Sequence, residues 1–244
     1  MTTNRRLTAI RIVRLVLVVS LGLGVVACED TQSPTSPSEP SQPQPEPPAA
    51  SSVGSFRAAQ LTRDARTVDV LVDGIVLSQG LAYGEVMSYE DLPEGEHRLQ
   101  IFPAGQRRLA LVESNFLLTG GEAVTLAVVG RNPIEIVEHS DDLSTVSNRA
   151  RVTLFNAVAD YPASFDLRVV NGPLLVTDVA RYMGSPRVEL IPGVYAFELL
   201  RGGTGEEVTT RFGVDLPAST ASTVFAIGTL DRNDIELIVV RDQS

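Results

Sequence analysis

Short apolar runs recur along the chain from residue 56 onward, and Gly, Pro, Asn and Asp separate them. Apolar and polar residues alternate over 68–72, just before the turn pair Asp73-Gly74, and again over 98–101, 124–128 and 134–137. No stretch sustains the period of an amphipathic helix over about twelve residues. Alternation over strand lengths, with turn signals roughly every 8–12 residues, predicts an all-β fold of sandwiches or barrels.

The pattern occurs twice, at an offset of about 98 residues, which is the size of one ordinary sandwich domain. Val68-Asp69-Val70 corresponds to Phe165-Asp166-Leu167, and the turn pair Asp73-Gly74 to Asn171-Gly172. Further matches join 82–84 to 182–184, 92–97 to 191–195, 125–130 to 223–228, and 134–137 to 235–238. We therefore expect two tandem immunoglobulin-like or transthyretin-like antiparallel β-sandwiches, at 56–139 and 149–242. A single larger sandwich built from both halves is the alternative.

The first 27 residues have the three parts of an export signal. Arginines at 5, 6, 11 and 14 precede an apolar run over 15–26, and Val25-Val26-Ala27 leads into Cys28. The run is too short for a helix to cross a hydrocarbon core of roughly 30 Å. The arrangement resembles a lipoprotein processing site, so we expect removal of 1–27 and attachment of fatty-acyl chains such as palmitate to Cys28. An ordinary signal peptide that leaves Cys28 free is the alternative.

Residues 28–55 then form a tether that is rich in Pro, Ser and Gln. They offer little apolar surface to bury, which predicts a disordered spacer between the lipidated cysteine and the first sandwich. The alternative is a proline-motif ligand for a partner domain.

The charge balance restricts the partners of the folded part. Loss of 1–27 leaves 16 basic and 30 acidic side chains, a formal charge of −14. Such an acidic balance argues against nucleic acid or anionic lipid as a partner. Because Cys28 is the only cysteine, we expect stability to come from packed cores and not from disulfides.

No catalytic motif is visible in the sequence. The two histidines, His97 and His139, are far apart, and neither a Gly-x-Ser-x-Gly nor a His-Glu-x-x-His pattern occurs. We therefore expect no enzyme activity, cofactor or metal, although two carboxylates brought together by the fold would escape this search. Asp73-Gly74 is interpreted as a hairpin turn, and Asp69 and Asp166 are expected to point outward from their strands.

Two groups of residues are candidates for binding a ligand, either a cation or a glycan. The acidic loops at 140–142 and 231–234 offer oxygen ligands to a cation such as calcium, but they lack the spacing of a known calcium loop, so solvated turns are expected. Five tyrosines, at 83, 89, 161, 182 and 195, could contribute to a glycan site. Tyr83 and Tyr195 lie in repeated motifs and are expected to pack against the sandwiches.

Residues 68–74, 82–84, 89–95 and 125–130 resemble the bacterial domain-of-unknown-function family numbered 4397. Its members often carry a His-Ala-Ser-Pro-Asp-Ala turn, which here reads Gln60-Leu61-Thr62-Arg63-Asp64-Ala65, and in the second copy Asn156-Ala157-Val158-Ala159-Asp160. The histidine is absent from both copies and the aspartate remains. The resemblance extends over most of 56–240 and implies a secreted, surface-attached β-sandwich protein with no established activity.

Together these features predict a non-enzymatic lipoprotein of the bacterial cell envelope, held to a membrane through Cys28 and facing the periplasm or the exterior. Its role would be structural or adhesive, with a protein or a surface polymer as partner. A module that binds glycan or cell-wall polymer is the alternative, followed by an undetected hydrolase.

Overall fold

The structure is a computed structural model that describes residues 52–160 and 164–242. The first half forms eight strands: β1 (Val53–Gln60), β2 (Val68–Val72), β3 (Ile75–Leu81), β4 (Glu90–Pro93), β5 (Gly95–Pro103), β6 (Val112–Leu118), β7 (Ala123–Gly130) and β8 (Ile134–Asp141). The second half forms eight more: β9 (Ala150–Asn156), β10 (Phe165–Val169), β11 (Leu174–Val179), β12 (Val188–Leu190), β13 (Gly193–Arg201), β14 (Glu207–Leu216), β15 (Thr220–Ile227) and β16 (Glu236–Asp242). Within the described ranges the one helical element is a 3-10 turn at Arg63–Ala65, so the predicted all-β class is confirmed.

Each half folds into its own sandwich of two four-stranded sheets. In the first, the sheet β4-β1-β7-β8 packs on the sheet β3-β2-β5-β6, and in the second, β12-β9-β15-β16 packs on β11-β10-β13-β14. The alternating residues fill a separate core in each sandwich, around Phe56, Val70 and Leu126 in the first and around Leu154, Leu167 and Val224 in the second. Every strand pairing lies within one half of the described chain, which excludes the single larger sandwich.

The pairing is antiparallel with two exceptions, which the sequence analysis did not predict. Strand β1 pairs in parallel with β7, and β9 pairs in parallel with β15. Both parallel pairs lie at the centre of the sheet that faces the other sandwich. We call these two sheets the inner sheets and the remaining two the outer sheets. The same strand order and the same parallel pairing occur in both halves.

The predicted hairpin turns are present at the ends of β2 and β10. Asp73, Gly74 and Asn171 have φ values of 52°, 79° and 55°, the left-handed conformation that a tight hairpin requires. Across the described residues there is no helix long and apolar enough to cross a membrane.

Candidate functional site at the junction of the two sandwiches

The predicted lipid attachment site, Cys28, lies outside the described residues, as do the signal segment 1–27 and almost all of the tether. Within the described residues, the largest concentration of buried polar chemistry lies where the two inner sheets meet. Both sandwiches belong to one compact unit, from Pro48 to Ser244.

A third apolar core joins the inner sheets face to face. Apolar side chains of the two central strands of each inner sheet, which point away from the sandwich core, are buried in this junction. The members are Ala59, Leu61, Ala127 and Val129 from the first sandwich, and Phe155, Ala157, Phe225 and Ile227 from the second. Small alanines on β1 and β7 leave room for the two phenylalanine rings, whose centroids lie 5.8 Å apart. The two repeats therefore pack as one body through a continuous hydrophobic interface.

Arg57 forms the centre of an ionic cluster at one side of this core. Its side chain is 1% exposed, and it donates to Asp242 at 2.8 Å and, through Nε, to Thr125 at 2.7 Å. Asp141 lies 3.6 Å away, and the guanidinium stacks over the Tyr89 ring at 4.4 Å. Burial raises the pKa of Asp242, an effect that the neighbouring Arg57 opposes. A cation and two carboxylates from both sandwiches are thus fixed without access to water.

The register of the strands relates the cluster residues to the repeat. Arg57 pairs with Thr125 as Thr153 pairs with Thr223, so Arg57 and Thr153 are equivalent positions. By the same logic Asp141 and Asp242 are equivalent, since they face Ala123 and Ala221. The second arginine of the cluster is Arg187, 3.7 Å from Asp242, and it occupies the position of Tyr89. Each sandwich therefore contributes one arginine to the cluster, but the two arginines occupy positions that are not equivalent in the two halves.

His139 is packed into the same cluster. Its ring lies 5.3 Å from that of Phe155 and directly against the backbone of Gly184, where a Cβ atom would come within 2.2 Å of the imidazole. Burial lowers the pKa of His139, and the nearby carboxylate of Asp141 only partly opposes this. His139 is thus held neutral as a packing group of the interface.

Ion pairs between the sandwiches occupy the other end of the interface. Arg131 contacts Asp231 at 2.6 Å, Arg63 contacts Asp234 at 3.0 Å, and Arg232 contacts Asp64 at 3.3 Å. The hydrogen bond from Arg131 holds the pKa of Asp231 at about 2. A cleft of about 490 Å³ opens beside these pairs, with Glu135, Arg181 and Tyr182 in its walls. Two of its charged wall residues, Asp64 and Arg131, already form ion pairs with Arg232 and Asp231 across the junction.

His97 is engaged in a structural contact in the first sandwich. Its Nδ1 lies 2.7 Å from the Asp73 carboxylate and its Nε2 lies 2.7 Å from the Pro93 carbonyl. Burial alone would lower the pKa of His97, but these two acceptors outweigh it and raise the pKa. Because both ring nitrogens are occupied, His97 has no free nitrogen with which to act as a general base.

The positions of the family turn are also structural. Gln60 is fully buried, and its amide donates to the carbonyls of Thr62 and Arg66. Asn156 occupies the equivalent position in the second sandwich: its amide oxygen accepts from the Val158 N–H, as that of Gln60 accepts from Thr62, but its nitrogen donates to the Val179 carbonyl. An amide side chain therefore closes the turn where the family pattern has histidine.

Asp69 and Asp166, which occupy matching positions in β2 and β10, lie on the outer face of their strands, but they are buried there. Asp69 accepts the N–H groups of Gly80 and Gly105, both at 3.0 Å, and Asp166 accepts the N–H group of Asp178 at 2.8 Å. They stabilise the bulged strands beside them and are not available to a ligand.

Aspartates of the two acidic loops form ion pairs with arginines and are not contacted by solvent alone. The expected solvated turn is wrong for Asp141, which is buried against Arg57 because it closes the interface. Asp142 pairs with Arg151 at 3.1 Å, and Asp231 and Asp234 pair as described above. No group of three or more His, Cys, Asp or Glu placed to hold a metal ion occurs in 52–160 and 164–242.

The tyrosine rings that the structure describes are covered by other side chains. Arg63 lies 4.2 Å above Tyr83, and Arg181 lies 4.9 Å from the centre of Tyr182. Tyr195 stacks on Phe197 and donates its hydroxyl to the Ile191 carbonyl at 2.5 Å. The expected packing roles of Tyr83 and Tyr195 are confirmed. Tyr161 lies outside the described residues.

Comparison with known proteins gives a family match over part of the chain. The model described as Domain of unknown function (DUF4397) matches residues 54–166, which span the first sandwich and the chain into β10. A search of curated proteins gives no match.

Two solved structures are similar at low identity. The Bacillus anthracis TIE protein is 15% identical with a TM-score of 0.24, over 73% of this chain and 34% of that one, so this chain spans about a third of its length. A protein from Bacteroides fragilis NCTC 9343, proposed to be a cell adhesion protein, is 10% identical with a TM-score of 0.22, over 75% of this chain and 86% of that one.

Proposed function

We propose that this protein is a non-enzymatic lipoprotein of the bacterial cell envelope, anchored through acylated Cys28 and displaying its two sandwiches as one structural or adhesive body. Its partner is a protein or a surface polymer. The sequence supports the anchor through the signal-like segment that ends at Cys28 and the Pro-rich tether that follows.

The observation that carries the proposed role is the way in which the two sandwiches are joined. A two-domain protein that closes on a ligand needs a hinge between its domains. Here an apolar core fills the centre of the junction, the Arg57 cluster lies at one side and ion pairs lie at the other end. Such a body is suited to holding surfaces at a fixed separation and orientation.

The anchor is tested by metabolic labelling with a fatty acid, followed by mass spectrometry of the mature N-terminus. We expect acylated Cys28 and recovery of the protein in the membrane fraction. The Cys28→Ala variant should lose both the label and the membrane association. An unmodified N-terminus that begins at another residue would contradict the proposal.

The adhesive role is tested by capture from envelope extract with the purified body, after cross-linking. A variant that disrupts the junction, Phe225→Ala, serves as the comparison, because the proposed role requires both sandwiches in a fixed arrangement. Retention of no protein or polymer by the wild-type body, or the same capture by the disrupted variant, would refute the role.

A further inference from the structure

The hairpin between β5 and β6 exposes basic and apolar side chains together. Arg107 and Arg108 are exposed and have no ion-pair or hydrogen-bond partner in the described part of the chain. Leu109 follows them and is 81% exposed, more than any other large apolar side chain that the structure describes. The Ala104 N–H donates to the Thr67 carbonyl at 3.0 Å, which brings the exposed Arg66 beside the hairpin. We call Arg66, Arg107, Arg108 and Leu109 the basic tip.

The fold does not require this composition. The corresponding hairpin of the second sandwich, between β13 and β14, reads Gly-Gly-Thr-Gly-Glu over 202–206. It closes with a hydrogen bond from the Arg201 N–H to the Glu206 carbonyl at 2.8 Å and exposes neither an arginine nor a leucine of its own. The same structural position thus accommodates a short polar loop, so the leucine and the arginines of the basic tip are dispensable for the hairpin itself.

We propose that the basic tip docks on a bilayer surface that carries anionic headgroups, with Leu109 entering the boundary between headgroups and acyl chains. Guanidinium groups bind phosphate, and transfer of a neighbouring apolar side chain from water into the bilayer boundary is favourable in free energy. The net acidity of the body does not prevent this contact, because charges more than about 10 Å from the surface are largely screened. The unpaired arginines of the tip are the charges that would reach the headgroups first.

A membrane is the proposed binding partner because the chain that precedes the sandwiches is proposed to be anchored in a bilayer. This inference therefore rests on the proposed anchor at Cys28. Residues 28–51 could span roughly 75 Å at about 3.1 Å per residue. The basic tip lies at the end of the first sandwich opposite Val53, a strand length of roughly 26 Å away. The tether is therefore long enough for the tip to fold back on the bilayer that holds the anchor, at a high effective concentration.

The test uses the unlipidated unit from Pro48 to Ser244, because all three apolar cores are made within it. We expect it to sediment with vesicles of phosphatidylcholine that contain about 30 mol% phosphatidylglycerol, and to dissociate as salt is added. The double variant Arg107→Gln, Arg108→Gln should lower the partition coefficient about 25-fold, about fivefold for each arginine. Arg149→Gln, an exposed arginine at the opposite end of the body, should leave it unchanged.

Insertion can be followed directly because the protein contains no tryptophan. In the Leu109→Trp variant the fluorescence should shift to the blue on binding and be quenched by brominated lipid. Leu117→Trp places the same reporter at a 66% exposed position at the other end of β6, where no shift is expected. Absence of binding, an equal loss in Arg149→Gln, or an unshifted spectrum of the Leu109→Trp variant would overturn the proposal. None of these outcomes affects acylation of Cys28, so failure of the anchor and failure of the tip are distinguishable.

Discussion

Substitution of Arg57 by methionine is expected to destabilise the two-sandwich body by about 3–5 kcal/mol, because it leaves buried carboxylates without their cation. Asp242 would lose a 2.8 Å ion pair and keep Arg187 at 3.7 Å and the Thr223 hydroxyl at 3.0 Å. Asp141 would lose a cation at 3.6 Å and retain the Thr125 hydroxyl and a neutral His139. Methionine fills a similar volume, so the loss reports mainly on charge and not on a cavity.

The assay is urea unfolding followed by far-ultraviolet circular dichroism, since the chain lacks a tryptophan reporter. Arg98→Met is the matched control, because Arg98 pairs with Glu113 at the exposed edge of the first outer sheet. An exposed pair contributes no more than about 1 kcal/mol. The difference between the two variants isolates the effect of burial.

The pH dependence gives a second criterion. Without Arg57, burial raises the pKa of Asp242 further above its ordinary value of 3.8. The folded variant then binds a proton that the unfolded chain releases, so its stability deficit should shrink as the pH falls toward that raised pKa. A loss equal to that of Arg98→Met, or a deficit that does not depend on pH, would refute the idea that Arg57 compensates buried charge.

Three other predictions concern the junction and the repeated motifs. Phe225→Ala should lower the free energy of unfolding by about 3–5 kcal/mol and split one thermal transition into two, which calorimetry would detect. His97 has a raised pKa, so its contribution to stability is complete below pH 6.5 and is lost as the pH rises through the folded value; His97→Gln should abolish this dependence in melting curves. Asp69→Asn should cost about 1–3 kcal/mol in urea unfolding, because an amide accepts from only one of two N–H groups, whereas Asp166→Asn, with one such bond, should lose less.

The alternation of side chains was sufficient to predict the two sandwiches, because one face of each strand is apolar. It did not reveal the junction, although the signal is visible on β7 and β15. In β7, Val124, Leu126 and Val128 fill the sandwich core, while Ala127 and Val129 on the opposite face are also apolar and buried. A strand without a polar face indicates burial on both sides. In β6, by contrast, Glu113 and Asn115 remain exposed.

The charged part of the junction could not be predicted, because it depends on positions that differ between the repeats. Thr125 and Thr223 match in sequence, but Arg57 is equivalent to Thr153, and Arg187 to Tyr89. The residues that match between the copies lie in the hairpin turns and in the sandwich cores. The residues that join the copies are among those in which they differ.

Because of this asymmetry, the two sandwiches are not interchangeable at the junction. Arg57 of the first sandwich reaches across the junction to Asp242 at 2.8 Å, whereas Arg187 pairs with Asp242 of its own sandwich at 3.7 Å. His139 packs on Gly184, while the position equivalent to Gly184 is Val86, whose branched side chain would occupy the space of the ring. Pairing two identical sandwiches would thus lose these contacts. The two halves of the body thus meet through a specific heterotypic interface, which fixes their surfaces relative to one another.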